Sequence, residues 1–206
     1  MAKKGYVGVG GVARKLKKGY VGVGGVARRL KKAYIGVGGV ARPCWSGGEL
    51  SYYGTAATLT NSIAYHAGTS VGNYALFGGG YYAPSAATYS TVNAYSNALT
   101  RSTPTALSTA RRYLAAASVG NYALFGGGRP DSSAVDAYST SLTHSVPTAL
   151  SQARGQLNAA SVGNYALFGG GLYSNSGYSN DVDAYNASLT RSLPSALGEA
   201  RYNLAA

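Results

Sequence analysis

The sequence SVGNYALFGGG occurs three times in this chain, at residues 70–80, 118–128 and 161–171. Its apolar centre, YALFG, is typical of a short β-strand. The Gly-Asn pair before that centre favours a tight turn, and the glycine triplet after it ends the strand. Each copy therefore predicts a strand that is entered through a hairpin turn and left through a segment of unusual backbone conformation.

The segments that flank this motif repeat with it. Leu59, Leu107, Leu150 and Leu197 start successive units, with spacings of 48, 43 and 47 residues. A strand like LAAASV precedes each turn, a strand like VDAY follows the glycines, and a fourth strand like LTRS ends before a proline. The predicted units are 59–106, 107–149, 150–196 and a partial 197–206.

Four short strands in a unit of about 45 residues are typical of a β-propeller blade. A solenoid is the competing interpretation, although its repeats usually run shorter. The predicted fold class is all-β, with a short β-hairpin head followed by propeller blades. About three full blades are present in the sequence, and whether they close into a ring stays open at this point.

The first 44 residues repeat differently, as three copies of a 14-residue unit that starts at residues 3, 17 and 31. Each copy contains Val-Gly-Gly-Val, a strong signal for a two-residue hairpin. We expect six short strands in a meander over 1–44, followed by a linker and lead-in strand over 45–58. So small a sheet needs another surface to lie against, which predicts a docking or assembly segment.

The net charge of +12 belongs almost entirely to this head. Residues 1–44 hold eleven basic residues and no acid, whereas residues 45–206 hold seven arginines and six acids. The candidate docking or polyanion-binding residues are Arg14, Lys15, Lys17, Lys18, Arg28, Arg29, Lys31 and Lys32. Because the head has only one tyrosine per repeat, we favour docking over nucleic-acid binding.

Several classes of protein are excluded by what the sequence lacks. No apolar run reaches the roughly 18 residues that span a bilayer, and the first residues do not resemble a secretory signal. Cys44 is the single cysteine, so no disulfide framework or multi-cysteine metal site is expected. The Gly-x-Gly-x-x-Ala pattern at 8–13 lacks the helix and the acid of a dinucleotide site. We expect no catalytic residues, no metal and no cofactor.

Length variation among the repeats falls in one loop per unit, between the glycine triplet and the third strand. These loops have 11, 6 and 10 residues and are rich in Tyr, Ser and Asn, the residue types of adaptable recognition surfaces. Equivalent loops of a repeat array lie on one face. The predicted binding residues are Tyr81, Tyr82, Tyr89, Arg129, Asp131, Tyr173 and Tyr178.

Other recurring residues are interpreted as structural. Arg111, Arg154 and Arg201 recur upstream of the motif, and Ile63 replaces them in the first unit. We expect these arginines to donate hydrogen bonds between blades. The two histidines, His66 and His144, occupy different repeat positions. We therefore interpret them as sequence variation between the repeats and not as a pair of metal ligands.

Together these motifs resemble two known repeat families. The order Arg, apolar strand, tight turn, YALFGGG, loop and V-D-A-Y resembles the kelch repeat, although the usual Trp after the Tyr is missing and Leu99, Leu142 and Leu189 stand near its place. The head, with YIGVGGVAR at 34–42, resembles the YIGVxGVAR-type repeats near the N-termini of structural proteins of phages and prophages of Gram-positive bacteria.

The resemblance implies a non-enzymatic virion structural protein at the phage particle surface. Its head would dock into the particle, and its blades would be exposed for decoration or host-surface adhesion. The expected partners are other virion proteins, further copies of the chain and a host-surface glycan, with no nucleic acid and no membrane insertion. The alternative is a soluble carbohydrate- or polyanion-binding module that uses the basic head.

Overall fold

A computed structural model describes residues 56–173 and 177–204 in full. Before residue 56 it describes only the backbone of six strands, within residues 6–9, 12–15, 20–23, 26–29, 32–37 and 40–46. The chain divides into two compact units, Met1–Gly54 and Thr55–Ala206. This division lies inside the segment 45–58 that we interpret as a linker.

The first unit contains three antiparallel strand pairs, each formed by the two strands of one 14-residue repeat. Their strands are β1 (Tyr6–Val9), β2 (Val12–Lys15), β3 (Tyr20–Val23), β4 (Val26–Arg29), β5 (Lys32–Val37) and β6 (Val40–Ser46). The six predicted strands are therefore present, but the meander is wrong. Each hairpin is a separate two-stranded sheet, because the Val-Gly-Gly-Val turn specifies pairing within a repeat and no sequence feature specifies pairing between repeats.

The second unit is built from three four-stranded antiparallel sheets, one in each full repeat. Sheet I comprises β7 (Ala67–Val71), β8 (Tyr74–Gly78), β11 (Val92–Ser96) and β12 (Arg101–Ser102). Sheet II comprises β13 (Ala115–Val119), β14 (Tyr122–Gly126), β15 (Val135–Ser139) and β16 (His144–Ser145). Sheet III comprises β17 (Asn158–Val162), β18 (Tyr165–Gly169), β19 (Val182–Asn186) and β20 (Arg191–Ser192). The prediction of four strands per unit is confirmed.

The loop of the first repeat adds a small hairpin, β9 (Tyr81–Tyr82) and β10 (Ala87–Thr88), around a single 3-10 turn at Ala83–Ser85. No α-helix occurs in the part of the chain that the structure describes. Among those residues there is also no helix long and apolar enough to cross a membrane.

The turn between the first two strands has the same backbone in each sheet. In sheet I, Gly72 takes φ of +54° while Asn73 stays outside the left-handed region. Glycine at the first central position is what a type II′ hairpin turn requires, and that turn matches the twist of the flanking strands. The Gly-Asn pair therefore fixes the register in which Val71 pairs with Tyr74, and the same pairing recurs in sheets II and III.

Sheets I, II and III pack face to face through two apolar clusters. Between sheets I and II, Leu76 and Val92 meet Phe125 and Tyr138, and all four side chains are fully buried. The corresponding cluster between sheets II and III contains Phe168 and Tyr185. The third strand of sheet II is buried from Val135 to Tyr138, so both of its faces are covered and the charged side chain of Asp136 lies inside the protein.

Candidate functional site: the variable edge

The candidate site is the edge of the sheets at which the first strand begins, the second ends and the third begins. We call it the variable edge. It comprises the turns before the first strands and the loops after the glycine triplets, at residues 63–66, 81–91, 111–114, 129–134, 154–157, 172–173 and 177–181. All length differences between repeats fall on this edge.

The glycine triplet lets the chain pass close to its neighbour at this edge. Gly79 has φ of +71°, and a Cβ atom added there would lie 2.5 Å from the carbonyl oxygen of Arg111. The next residue, Gly80, donates its N–H to that same oxygen at 2.9 Å. Only glycine allows this approach, so the triplet joins each loop to the connector that leads into the following sheet.

A buried carboxylate anchors each of the later two connectors. Asp136 accepts hydrogen bonds from the N–H of Ser108 at 2.8 Å, from the Ser108 hydroxyl at 3.1 Å and from the guanidinium of Arg111. The Arg111 guanidinium bonds Oδ2 of Asp136, and His144 Nε2 lies 2.7 Å from Oδ1. Both Asp136 and Arg111 are completely buried. Because water cannot solvate either charge, removing one member of the pair would leave the other uncompensated and destabilise the fold.

Sheet III repeats this arrangement with the same residue types. Asp183 accepts bonds from Ser151 and lies 2.8 Å from the guanidinium of Arg154, and again both charged side chains are completely buried. Arg191 lies 3.5 Å from the same carboxylate, in the place that His144 takes in sheet II. Sequence reasoning missed both of these second partners.

The predicted role of the recurring arginines needs correction. The side chains of Arg111 and Arg154 bond within their own sheets, to an aspartate and to the carbonyl oxygen of Phe125 or Phe168. Their backbones join neighbouring sheets: the carbonyls accept from Gly80 and Gly128, and the N–H groups donate to the carbonyl oxygens of Tyr89 and Ser132. The side chain of Arg201 is half exposed and bonds only Glu199 among the described residues.

Around Arg112, two predicted residues of the variable edge meet. The guanidinium lies 4.4 Å from the ring centre of Tyr81 and 5.9 Å from that of Tyr113, and it donates to the Thr88 hydroxyl at 3.1 Å. The backbone of Arg112 pairs with that of Arg129 at 2.9 and 2.6 Å. A cation held against an aromatic ring in this way gains about 0.5–1 kcal/mol at an exposed site.

The loops of sheets II and III meet through Arg129. Its guanidinium lies 3.0 Å from Asp131 and 3.4 Å from the carbonyl oxygen of Tyr173. The Tyr173 hydroxyl donates to Asp181 at 2.7 Å, and burial, with a contribution from that carboxylate, raises the pKa of Tyr173. Arg129, Asp131 and Tyr173 therefore form one connected polar group.

The other three predicted residues have separate positions. Tyr82 is exposed, and Tyr178 stacks on Tyr202 with ring centres 4.9 Å apart. Tyr89 is half-buried, and its backbone bonds Gly80 and Arg111. The seven predicted residues thus share one edge of the molecule but do not converge on one pocket.

A row of four residues in the left-handed conformation runs along this edge and was missed from the sequence. Tyr65, Tyr113, Gln156 and Asn203 have φ of 58°, 55°, 55° and 51°. Each backbone N–H donates to the carbonyl oxygen of the preceding member, at 2.9, 2.8 and 3.0 Å. The rings of Tyr65 and Tyr113 stack with centres 4.2 Å apart. The only available signal was the shared position of these residues, two after Ile63, Arg111, Arg154 and Arg201.

The side chains of the variable edge can form hydrogen bonds and stacking contacts. Its phenols and amides donate and accept, its guanidinium groups donate, and its aromatic rings stack. Among the described residues, no group of three or more His, Cys, Asp or Glu side chains could hold a metal ion. Asp136 and Asp183 are engaged with their arginines, and Asp181 accepts from Tyr173.

The candidate docking residues are placed only by their backbone. Arg14 and Lys15 belong to β2, Arg28 and Arg29 to β4, and Lys32 to β5. Lys17, Lys18 and Lys31 lie outside the described residues.

No family model and no curated protein matches this chain.

Proposed function

We propose that this chain is a non-enzymatic structural protein of a phage particle. The basic head docks into the particle, and the second unit is exposed at the particle surface for decoration or host-surface adhesion. The observation that carries this proposal is the two-part construction. A unit with most of the excess positive charge is joined to a nearly neutral unit that has several of its tyrosines at one edge.

We further propose that sheets I, II and III are three blades of a kelch-like β-propeller. The support is that the first strands of neighbouring sheets, β7, β13 and β17, lie next to one another. In a propeller the innermost strand of each blade lies beside that of the next blade, around a common axis. Propellers have four to eight blades, so this arrangement calls for further sheets from another repeat or another copy of the chain.

The residues of the variable edge support a recognition role. Loops that differ in length on a constant scaffold are how repeat proteins change what they bind. Tyrosine gives large contact area at low cost in conformational entropy, and Arg129 and Tyr173 add hydrogen bonds. A host-surface glycan is the ligand that we propose for this edge, and other virion proteins are the proposed partners of the head.

Electron microscopy of particles carrying a tagged version of the chain tests the proposed location. We expect label on intact particles, at a constant site on each one. Particles that lack the label, in a preparation where the tagged chain is expressed and folded, would contradict the proposal.

The excess charge of residues 1–44 keeps one alternative open, a soluble module that binds carbohydrates or polyanions through the head. Binding of the full chain to heparin and to duplex DNA over a salt series tests it. Eleven charges acting on a polyanion would give an affinity that falls steeply with salt. If replacing Lys15, Lys17, Lys31 and Lys32 by Gln abolishes tight binding without affecting incorporation into particles, the alternative describes the head better than docking does.

A further inference from the structure

A groove lies along the variable edge, beside the left-handed row. It has a volume of about 340 Å³ and is lined by Tyr65, His66, Tyr113, Leu114, Gln156, Leu157, Asn158, Asn203 and Leu204. This volume is at the lower end of the range for small-molecule sites in proteins. None of the residues predicted from the sequence lines it, so it is a different part of the edge from the variable loops.

The residue types of the row are unexpected for their backbone conformation. Left-handed φ favours Gly and Asn, and other residues pay roughly 1 kcal/mol or more for it. Asn203 fits this preference, but Tyr65, Tyr113 and Gln156 do not. Two bulky aromatic residues therefore stand at positions where Asn would fit at lower cost.

The groove offers unused hydrogen-bonding groups beside aromatic rings. The side-chain amides of Gln156 and Asn203 make no hydrogen bond to any other described residue, and Nδ1 of His66 is buried without a partner among them. Asn158 is different, since its amide already donates to the carbonyl oxygen of Leu204 at 2.6 Å. The ring of Tyr65 is half exposed. An amide presents two donors and two acceptor lone pairs, so this set suits a ligand rich in hydroxyl groups.

The groove carries no charged group that would select an ion. Its lining contains no Asp, Glu, Lys or Arg, and Arg112, which precedes the lining residue Tyr113, is held against the ring of Tyr81. The leucines of the lining provide an apolar floor. Neutral polar groups, exposed aromatic rings and an apolar floor together match a pyranose ring, which has hydroxyls at its rim and C–H groups on its faces.

We propose that this groove binds one or two sugar residues of an uncharged glycan. The exposed ring of Tyr65, supported by the stacked ring of Tyr113, contacts the apolar face of the sugar, and Gln156 and Asn203 bond its hydroxyls. The proposal deepens the proposed host-surface adhesion and rests on the recognition role of this edge. Its test uses purified chain and no particle, so a failure of the groove can be told apart from a failure of the virion assignment.

The test is binding of the full chain to an array of neutral oligosaccharides of glucose, galactose and N-acetylglucosamine, followed by calorimetry on the best of them. Tyr65→Asn and Tyr113→Asn remove the rings while placing the residue most compatible with left-handed φ, so folding is preserved. We expect each to weaken affinity at least tenfold, and Gln156→Ala to weaken it severalfold. Leu99→Asn is the matched control, because Leu99 is exposed with φ of 59° but does not line this groove, and we expect unchanged affinity.

Three outcomes overturn the proposal. One is an array with no neutral glycan bound, and another is binding that neither tyrosine variant weakens. The third is a tyrosine-dependent interaction with single-stranded DNA but not with glycans, because stacked bases would then be the ligand. Binding to heparin that depends on salt but not on Tyr113 belongs to the basic head, and without a bound neutral glycan it also counts against the groove.

Discussion

Sheets I and II share strand order and register but hold their connectors by different chemistry. In sheet II, the carboxylate of Asp136 bonds Ser108 and pairs with the buried guanidinium of Arg111. In sheet I, the amide oxygen of Asn93 accepts from the N–H and hydroxyl of Thr60, and Ile63 stands where the arginine would be. The fold therefore needs an acceptor at the second position of the third strand, whereas a charge there is optional.

The comparison also shows that the two buried charges occur together. Asp136 and Asp183 each pair with a buried arginine, whereas Asn93 has Ile63 at that position. Arg101, at the position of His144 and Arg191, donates instead to the carbonyl oxygen of Thr58. A buried ion pair often adds little net stability over a well-packed apolar pair, but one member without the other is costly. Replacing an Asp–Arg anchor by an Asn–Ile anchor, or the reverse, therefore requires both residues of the anchor to change.

The largest expected effect comes from removing the charge of Asp136 alone. Asp136→Asn keeps an acceptor for Ser108, as Asn93 does in sheet I, but leaves Arg111 buried without a counter-charge. We expect a loss of about 3 kcal/mol in the free energy of unfolding. Urea denaturation followed by circular dichroism measures it.

The double variant Arg111→Ile with Asp136→Asn is the decisive control, since it installs the sheet I anchor in sheet II. We expect stability within about 1 kcal/mol of the parent chain. If the double variant is as unstable as the sum of its single changes, the two anchors are not interchangeable and the comparison fails.

A smaller effect is expected where the sheets pack against each other. A Cβ atom on Gly126 would lie 2.8 Å from the ring of Phe168, and one on Gly78 would lie 3.0 Å from the ring of Phe125. Gly169, at the same position of sheet III, meets nothing closer than 3.7 Å. We expect Gly126→Ala and Gly78→Ala each to cost about 1–3 kcal/mol in thermal or urea unfolding, through overpacking.

Gly169→Ala is the matched control and should change stability by less than about 0.5 kcal/mol. A loss in this variant as large as in the other two would mean that the cost arises within a strand. In that case the losses at Gly78 and Gly126 would not be caused by the aromatic rings that face them from the next sheet.

Placing an arginine in sheet I tests whether a buried arginine requires an aspartate in the third strand of the same sheet. Ile63→Arg brings a cation next to Asn93, which cannot neutralise it. Since Ile63 is only partly buried, the arginine can reach water, so we expect a loss of about 1–2 kcal/mol. Adding Asn93→Asp should recover at least half of that loss. Ala64→Arg, at the exposed neighbouring position, is the control and should leave the free energy of unfolding nearly unchanged. If Asn93→Asp recovers none of the stability that Ile63→Arg loses, the anchor does not depend on matched charges.

The sequence was sufficient to predict most strands of the second unit, because each was bounded by local signals such as the Gly-Asn turn and the glycine triplet. The anchors were harder to predict, since Arg111 and Asp136 are 25 residues apart. Their signal was present as correlated changes: Ile63 occurs with Asn93, and the arginines occur with aspartates. The left-handed row could not be predicted, because Tyr and Gln have no preference for that conformation. Pairing between the hairpins of the head also had no local signal.

The smallest expected effect is a pH dependence that arises from His66 in sheet I. His66 stands where sheet II has Leu114, and burial lowers the pKa of His66 below its usual 6.5. Below about pH 6.5 the unfolded chain therefore binds more protons than the folded chain at this residue. The contribution of neutral His66 to the free energy of unfolding is complete above that pH and declines as the pH falls. It becomes constant below the pKa of His66 in the folded state.

Replacing His66 by Leu should remove this decline and relieve the unpartnered Nδ1 atom. We expect a gain of about 0.5–1 kcal/mol at pH about 7.5 and a larger gain at pH about 5.5, both measured by urea unfolding. Leu114→His is the matched change in sheet II and should introduce the decline that His66→Leu removes. A gain for His66→Leu that is the same at both pH values would mean that His66 keeps its usual pKa in the folded chain, and that this position does not distinguish the two sheets.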